Sequence, residues 1–368
     1  DAARNPTGIF KDNAQDLIYR AIPDPSPEQS DSAIARATAW AASKGVTGVS
    51  AVSVSWGELA ALKRAYQRGA LLTRVSVYVP LGSWRRMADT LKADGPGDDF
   101  LRVAGLKGFV DGSLGSRTAL FYEPYADDPS TSGLLVTPED SLRRWIGAGD
   151  SVGLQIAVHA IGERANGLVL DIYDSVARAH GARDRRFRIE HAQHLRPADV
   201  TRLARLGVVA SMQPYHAIDD GRWAEHRVGP DRIHNMYVFR SLLDQRAHLA
   251  FGSDWTVAPI DPLLGIYAAE RFRLDDTMTV TVDDTGEQLR AALVVVGNTT
   301  PMTYVGRLPI HFMPDASLDT HLDFVAPRQA NAAFTIGKFM EGLRVKPRRA
   351  NSAEKMQLRH DVRALTIE

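Results

Sequence analysis

Four polar residues stand at the ends of apolar, strand-like runs, where their side chains could share one site. They are Lys107, His159, His191 and Asp254. Active sites of β/α barrels lie where the carboxyl ends of parallel strands meet, so residues far apart in sequence converge there. A lone histidine at a strand end is more often a hydrogen-bonded structural residue than a ligand. The joint pattern over four strands therefore favours a functional site over coincidence.

The four residue types suit a divalent metal. Neutral imidazoles and carboxylates bind Zn²⁺ at about 2.0–2.2 Å. A bound metal lowers the pKa of water towards 7, and a nearby carboxylate can take the proton that is released. A lysine ammonium has no free electron pair for a metal. Lys107 becomes a ligand only after carbamylation by carbon dioxide, which converts the cation into a carboxylate.

Strand-like and helix-like segments alternate between residues 27 and 251, which predicts a parallel sheet covered by helices. Ser26 and Gly45 bound the first predicted helix, and further helices are expected at residues 56–69, 163–180 and 196–206. The seven predicted strands are residues 45–54, 73–81, 102–110, 154–159, 187–191, 208–213 and 248–253. A (β/α)8 barrel needs eight.

Composition excludes several classes of protein. The 368 residues contain 44 Lys and Arg and 44 Asp and Glu, so net charge favours neither nucleic acid nor an acidic membrane as a partner. The absence of cysteine excludes disulfides, thiolate nucleophiles and cysteine-ligated metals. No apolar run approaches the ~20 residues of a membrane span, and we expect no signal peptide because the first residues are polar. A cytoplasmic protein is therefore expected, and a homo-oligomer is left open.

The predicted secondary structure of the chain changes after Ala269. Short strand-like runs at residues 277–282, 291–296 and 322–326 are separated by turns, and long helices are scarce. We therefore predict two domains, a barrel at residues 1–269 and an antiparallel β segment at residues 270–368.

The barrel part resembles the amidohydrolase superfamily, and within it the subgroup of YtcJ-like and N-substituted formamide deformylase-like proteins. The matching motifs are residues 105–119 (GLKGFVDGSLGSRTA), 158–165 (VHAIGERA), 189–193 (IEHAQ), 211–216 (SMQPYH) and 251–255 (FGSDW). Their number and order make the resemblance specific, and it runs from about residue 6 to residue 269. It implies a TIM barrel that hydrolyses non-peptide, amide-like C–N bonds of a small-molecule substrate.

The resemblance also implies roles for individual residues. Lys107 would be the carbamylated lysine that bridges metals, and His159 and His191 would be metal ligands. Asp254 would bind metal and act as general base. His216 and Arg117 would touch the substrate. The family uses one or two divalent ions; Zn²⁺ is favoured, and iron and manganese also suit these donors.

The chain departs from the family pattern at its start. The family carries a His-x-His pair at the end of its first strand, and no such pair occurs here. We therefore expect an incomplete (β/α)8 barrel that lacks strand one, binds at most one metal ion and has impaired activity.

The C-terminal part resembles the C-terminal domain of bacterial diacylglycerol and sphingosine-type lipid kinases. Residues 294–301 (VVVGNTTP) and 314–323 (PDASLDTHLD) carry this resemblance, with His321 where those kinases usually have glycine. No phosphate-binding glycine loop accompanies it, so Asp319 and Asp323 are interpreted as turn or structural residues. Two alternatives to a hydrolase remain: a composite of two gene fragments without catalysis, and a lipid-kinase-related binding protein.

Overall fold

The computed structural model describes residues 8–271, 278–282, 285, 287–291, 295–297, 303–305, 308–310, 322–327, 356–362 and 365–367. The chain divides into two compact units, Asp1–Ala268 and Ala269–Glu368. In the described part, no helix is long and apolar enough to cross a bilayer.

Seven strands of the first unit form one sheet in the order β1 to β7, and all six neighbouring pairs are parallel. They are β1 Gly48–Val52, β2 Arg74–Pro80, β3 Leu101–Phe109, β4 Gln155–Ala160, β5 Arg188–His191, β6 Val209–Met212 and β7 His248–Phe251. The prediction of seven parallel strands is confirmed. Their apolar, β-branched sequences fit a sheet whose faces are covered by helices.

Helices connect the strands and cover the outside of the sheet. They are α1 Asp16–Tyr19, α2 Pro27–Ser43, α3 Trp56–Gln67, α4 Trp84–Asp94, α5 Glu139–Ser151, α6 Glu163–His180, α7 Pro197–Leu206, α8 Pro214–Asp220, α9 Ala224–Arg232, α10 Phe239–Asp244 and α11 Pro262–Arg271. Capping boxes begin α2 and α3, where Ser26 and Ser55 each accept a hydrogen bond from the backbone three residues later. Such caps satisfy N–H groups that a helix leaves without partners.

The sheet is curled, because side chains on distant strands meet inside it. The guanidinium of Arg188 on β5 lies 3.2 Å from Ser50 Oγ on β1 and 3.4 Å from the Tyr78 hydroxyl on β2. It also donates to Ser211 Oγ on β6 at 3.1 Å. One side chain thus touches three other strands, including an edge strand. This curvature is that of a barrel-like α/β fold, as predicted.

The described strands of the second unit pair antiparallel. They are β8 Met278–Val282, β9 Glu287–Ala291, β10 Val295–Gly297, β11 Thr303–Val305, β12 Leu308–Ile310, β13 Leu322–Pro327, β14 Met356–Val362 and β15 Leu365–Ile367. The strand expected at residues 291–296 corresponds to the end of β9 and the start of β10. Residues 314–321 of the lipid-kinase-like motif lie outside the described residues, and that resemblance stays a prediction.

Candidate metal centre

The parallel sheet brings the predicted residues to its C-terminal end. His159 lies in β4, and its backbone pairs with Phe109 at the end of β3. His191 ends β5 and pairs with Ala160. Asp254 follows β7 by three residues. Because parallel strands end at the same edge, residues of these three strands lie in one region.

Three donors meet most closely there. Ligand atoms of His191, His216 and Asp254 all lie within 4.8 Å of one another. His216 comes from α8, directly after β6, and its ring stacks on that of His191 with centroids 6.2 Å apart. Sequence reasoning placed His216 against the substrate, whereas the structure also brings it within reach of a metal.

His159 adjoins this group. Its ring centroid lies 4.6 Å from that of His191. Its Nε2 lies 3.0 Å from the backbone oxygen of Gly112, a group that only accepts hydrogen bonds. Nε2 therefore carries the hydrogen in the neutral ring, and Nδ1 keeps the free electron pair.

Lys107 is buried in β3, with 3% of its surface exposed. Its ammonium lies 3.4 Å from the oxygen of Gly108 and 3.6 Å from the ring centroid of Phe109. Burial lowers the pKa of Lys107 to about 8, although the charges of Glu190 and Asp254 act in the opposite direction. At neutral pH its unprotonated fraction is therefore much larger than that of an exposed lysine.

The histidines of the centre are neutral at pH 7. Burial lowers the pKa of His191 to about 4, and the Lys107 ammonium adds to this effect. Burial likewise holds the pKa of His159 well below its usual range and lowers that of His216. Neutral imidazoles are the form that binds metal, so the environment favours ligation over protonation.

Asp111, two residues after the end of β3, joins two loops beside the centre. Its carboxylate accepts backbone hydrogen bonds from Leu120 at 2.8 Å, Ile161 at 3.0 Å and Gly162 at 2.8 Å. One of its oxygens lies 3.5 Å from His159 Nε2. Burial raises the pKa of Asp111 to about 7, while the three backbone donors lower it. The carboxylate thus ties the loop after β3 to the turn that follows β4.

Two residues of the centre have a left-handed backbone. His191 has φ 77° and Asp254 has φ 55°. This conformation is uncommon for residues other than glycine and clusters at functional sites. His191 is the last residue of β5, and Asp254 lies three residues beyond the end of β7.

Arg117, the other residue predicted to touch substrate, is held by an acidic partner. Its guanidinium donates to Asp127 at 2.9 Å and 3.2 Å, and Arg227 pairs with the same carboxylate. Its role as a substrate contact stays a prediction. Sequence reasoning assigned no role to Asp111 or Gln213, although each lies within two residues of the end of a strand, which is the placement that identified the other residues.

The donor set fits a divalent metal. It combines neutral imidazoles with a carboxylate, as zinc sites do. The Nε2 atom of His216 is buried and has no hydrogen-bond partner. A buried polar atom without a partner is costly, and a metal would satisfy it. Lys107, His159, His191, His216 and Asp254 are therefore the residues that could hold the ion.

Comparison with known proteins agrees with this geometry. Residues 1–298 match the model of the amidohydrolase family, beyond the residue 269 at which the sequence resemblance was expected to end. The chain belongs to this family. Among curated proteins, an amidohydrolase-family relative described as the putative amidohydrolase YtcJ of Bacillus subtilis is 35% identical over 274 residues. That alignment covers 73% of this chain and 51% of YtcJ.

A plant relative is also similar. The protein LONG AFTER FAR-RED 3 of Arabidopsis thaliana is 40% identical over 276 residues, which cover 72% of this chain and 47% of that protein. The chain thus spans about half the length of the curated relatives it matches.

Two solved structures share the fold of this amidohydrolase-family chain. An uncharacterized metal-dependent hydrolase from Pyrococcus furiosus superposes with a TM-score of 0.61 at 32% identity. The superposition covers 72% of this chain and 57% of the Pyrococcus furiosus protein. An uncharacterized metal-dependent hydrolase from Pyrococcus horikoshii superposes with a TM-score of 0.61 at 34% identity. This superposition covers 72% of this chain and 55% of that protein. The chain thus shares its family with an amidohydrolase relative and its fold with two proteins described as metal-dependent hydrolases.

Proposed function

We propose that this chain carries the metal centre of a hydrolase that cleaves non-peptide, amide-like C–N bonds in small molecules. The observation that carries the proposal is the convergence of ligand atoms of His191, His216 and Asp254 within 4.8 Å, beside half-buried His159 and buried Lys107. Zn²⁺ is the ion we favour, because two or three imidazoles with a carboxylate form its usual catalytic donor set.

When bound, a divalent metal supplies Lewis acidity, which activates water and polarises a carbonyl group. His159 and His191 are neutral through burial and offer their free ring nitrogens to the ion. In our proposal Lys107 is carbamylated and becomes a further ligand. Its lowered pKa supports this role, since the unprotonated amine is the form that reacts with carbon dioxide.

Asp254 is the proposed general base. Its carboxylate lies in the donor cluster, where it can accept a proton from the attacking water and pass it to the leaving nitrogen. His216 is close enough to complete the donor set or to hydrogen-bond the substrate. Metal content of a His216→Ala variant separates these roles: loss of metal identifies a ligand, and retained metal with weaker substrate binding identifies a substrate contact.

Elemental analysis of the purified chain tests the proposal. We expect zinc in the wild type and its loss in Lys107→Ala and in His191→Ala. His226→Ala, which replaces an exposed histidine of α9, is the matched control and should keep the metal. Hydrolysis of N-substituted formamides and N-acyl amines should fall in the same two variants. A chain that takes up no divalent metal and hydrolyses none of these compounds would contradict the proposal.

A further inference from the structure

Gln213 lies directly after β6 and has 4% of its surface exposed. Its side-chain nitrogen donates to the backbone oxygen of Ser211 at 3.1 Å. A carbonyl oxygen accepts hydrogen bonds and cannot donate them, so the NH₂ group must face Ser211. The amide of Gln213 therefore has one orientation, with its oxygen directed away from β6.

That oxygen meets a candidate metal ligand. Gln213 Oε1 lies 2.8 Å from Nδ1 of His191, a normal hydrogen-bond distance. Since Oε1 has no hydrogen to give, Nδ1 must be the donor. A neutral imidazole has one N–H, so Nε2 of His191 keeps its electron pair.

The neighbouring His159 is held in the other tautomer. Its Nε2 faces the oxygen of Gly112, which leaves Nδ1 free. The two adjacent histidines are therefore held in opposite tautomers by two acceptors of the chain. The acceptor for His159 is backbone and persists in any variant, whereas the acceptor for His191 is a replaceable side chain.

We propose that Gln213 is a positioning residue, which holds His191 in the Nδ1–H tautomer and directs Nε2 towards the metal centre. The tautomer is a property of the metal-free protein, and the consequence for metal binding rests on the proposed function. Partners that orient a metal-binding histidine typically contribute 10–100-fold to metal affinity.

The tautomer can be read by NMR on metal-free protein labelled with ¹⁵N-histidine at pH 7.5. Long-range ¹H–¹⁵N correlations distinguish the protonated from the unprotonated ring nitrogen, and His191→Asn identifies the signals of His191. We expect Nδ1–H in the wild type. Gln213→Met keeps the length of the side chain but removes the acceptor, and should shift the ring towards Nε2–H. Gln213→Glu keeps an acceptor and should retain the wild-type tautomer.

Zinc affinity, measured by competition with a chelator, gives the second readout. Gln213→Met should bind zinc about 10–100-fold more weakly, and Gln213→Glu should recover most of the loss. The thermal unfolding midpoint of each variant should match that of the wild type, which would exclude misfolding as the cause of any change. An Nε2–H tautomer in the wild type, an unchanged tautomer in Gln213→Met or an unchanged zinc affinity in that variant would overturn the inference. Absence of zinc binding by the wild type would instead count against the proposed function, and the NMR result would stand independently.

Discussion

The middle of the seven-stranded sheet and its two edges differ in how completely they are buried. Residues of β4, β5 and β6 are buried or half-buried throughout, whereas β7 is mostly exposed and β1 is exposed or half-buried. Among the strands that the structure describes, β1 pairs only with β2 and β7 only with β6. A strand with one partner loses half of its possible ladder and much of its side-chain packing.

The candidate centre draws on both regions. Lys107, His159 and His191 lie on central strands, where packing restricts their side chains. Asp254 follows β7, where Phe251 is 52% exposed. The buried strands therefore hold the lysine and the two histidines, whereas the carboxylate of Asp254 depends on the less protected edge.

Removing the guanidinium that links the middle of the sheet to its edge should have the largest effect. Arg188→Met leaves the buried carboxylate of Glu190 without the partner that lies 2.6 Å away. It also removes the hydrogen bond to Ser50 on β1. Breaking one side of a buried ion pair costs about 3–5 kcal/mol, and we expect a loss of about 5 kcal/mol in the free energy of unfolding measured with urea, because the hydrogen bonds to Ser50 and Ser211 are lost as well.

The double variant Arg188→Met, Glu190→Gln is the control for this interpretation. It removes the unpaired charge, and its stability should lie between those of the wild type and the single variant. A double variant less stable than Arg188→Met would show that the ion pair is not the source of the effect.

A matched pair of leucine truncations compares the two regions directly. Leu106 on β3 is fully buried, so Leu106→Ala should cost about 2–5 kcal/mol of unfolding free energy. Leu249 on β7 is half-buried, and Leu249→Ala should cost about 1 kcal/mol because less apolar area is lost from the core. Urea unfolding of both variants provides the comparison, and equal losses would refute the contrast between centre and edge.

Acid should lower the free energy of unfolding, because the folded protein keeps buried histidines neutral. Burial lowers the pKa of His194 to about 3, from an ordinary value of 6.5. Below pH 6.5 the unfolded chain binds a proton that the folded chain takes up only near pH 3. The stabilisation is thus fully present above pH 6.5 and is lost as pH falls towards 3.

His194→Gln removes this proton uptake. Between about pH 4 and 5.5, the slope of unfolding free energy against pH should decrease by about 1.4 kcal/mol per pH unit. Denaturant titrations at several pH values measure it. A variant with the wild-type slope would indicate that His194 is protonated to the same extent in both states.

The smallest effect should come from an ion pair between the two edges. Lys44, after α2, and Asp261, before α11, lie 3.8 Å apart and are partly exposed. Asp261→Asn should change the unfolding free energy by less than about 1 kcal/mol. Asparagine can still accept the backbone hydrogen bond from Leu263, so the variant isolates the charge. A loss above 2 kcal/mol that persists at high salt would contradict a screened surface pair.

The seven strands were predictable because each is a short run of apolar, often β-branched residues bounded by turns. The helix α6 was also predicted with the bounds it has, residues 163–180. The segment between β6 and β7 was not resolved into elements, and it contains α8, α9 and α10. Within α9, Gly229 and Pro230 interrupt the helical pattern, so local periodicity could not reveal it.

The placement of Lys107, His159, His191 and Asp254 at one end of the sheet followed from a simple rule about parallel strands. The position of His216 did not, because it depends on where α8 lies after β6. Arg117 illustrates the same limit: its partner Asp127 is ten residues away in the same loop, and only the folded loop brings them together. The order of the strands thus predicts which side chains lie at the same end of the sheet. Their individual contacts depend on the conformation of the loops, which the sequence does not reveal.

The carboxylate of Asp111 has a consequence for the entropy of metal binding. It holds backbone groups of two separate loops and lies beside His159. Loops fixed in this way before an ion arrives lose little conformational freedom when it binds, so more of the coordination energy is retained as affinity. A single buried aspartate that need not touch the metal would thereby preorganise the site for it.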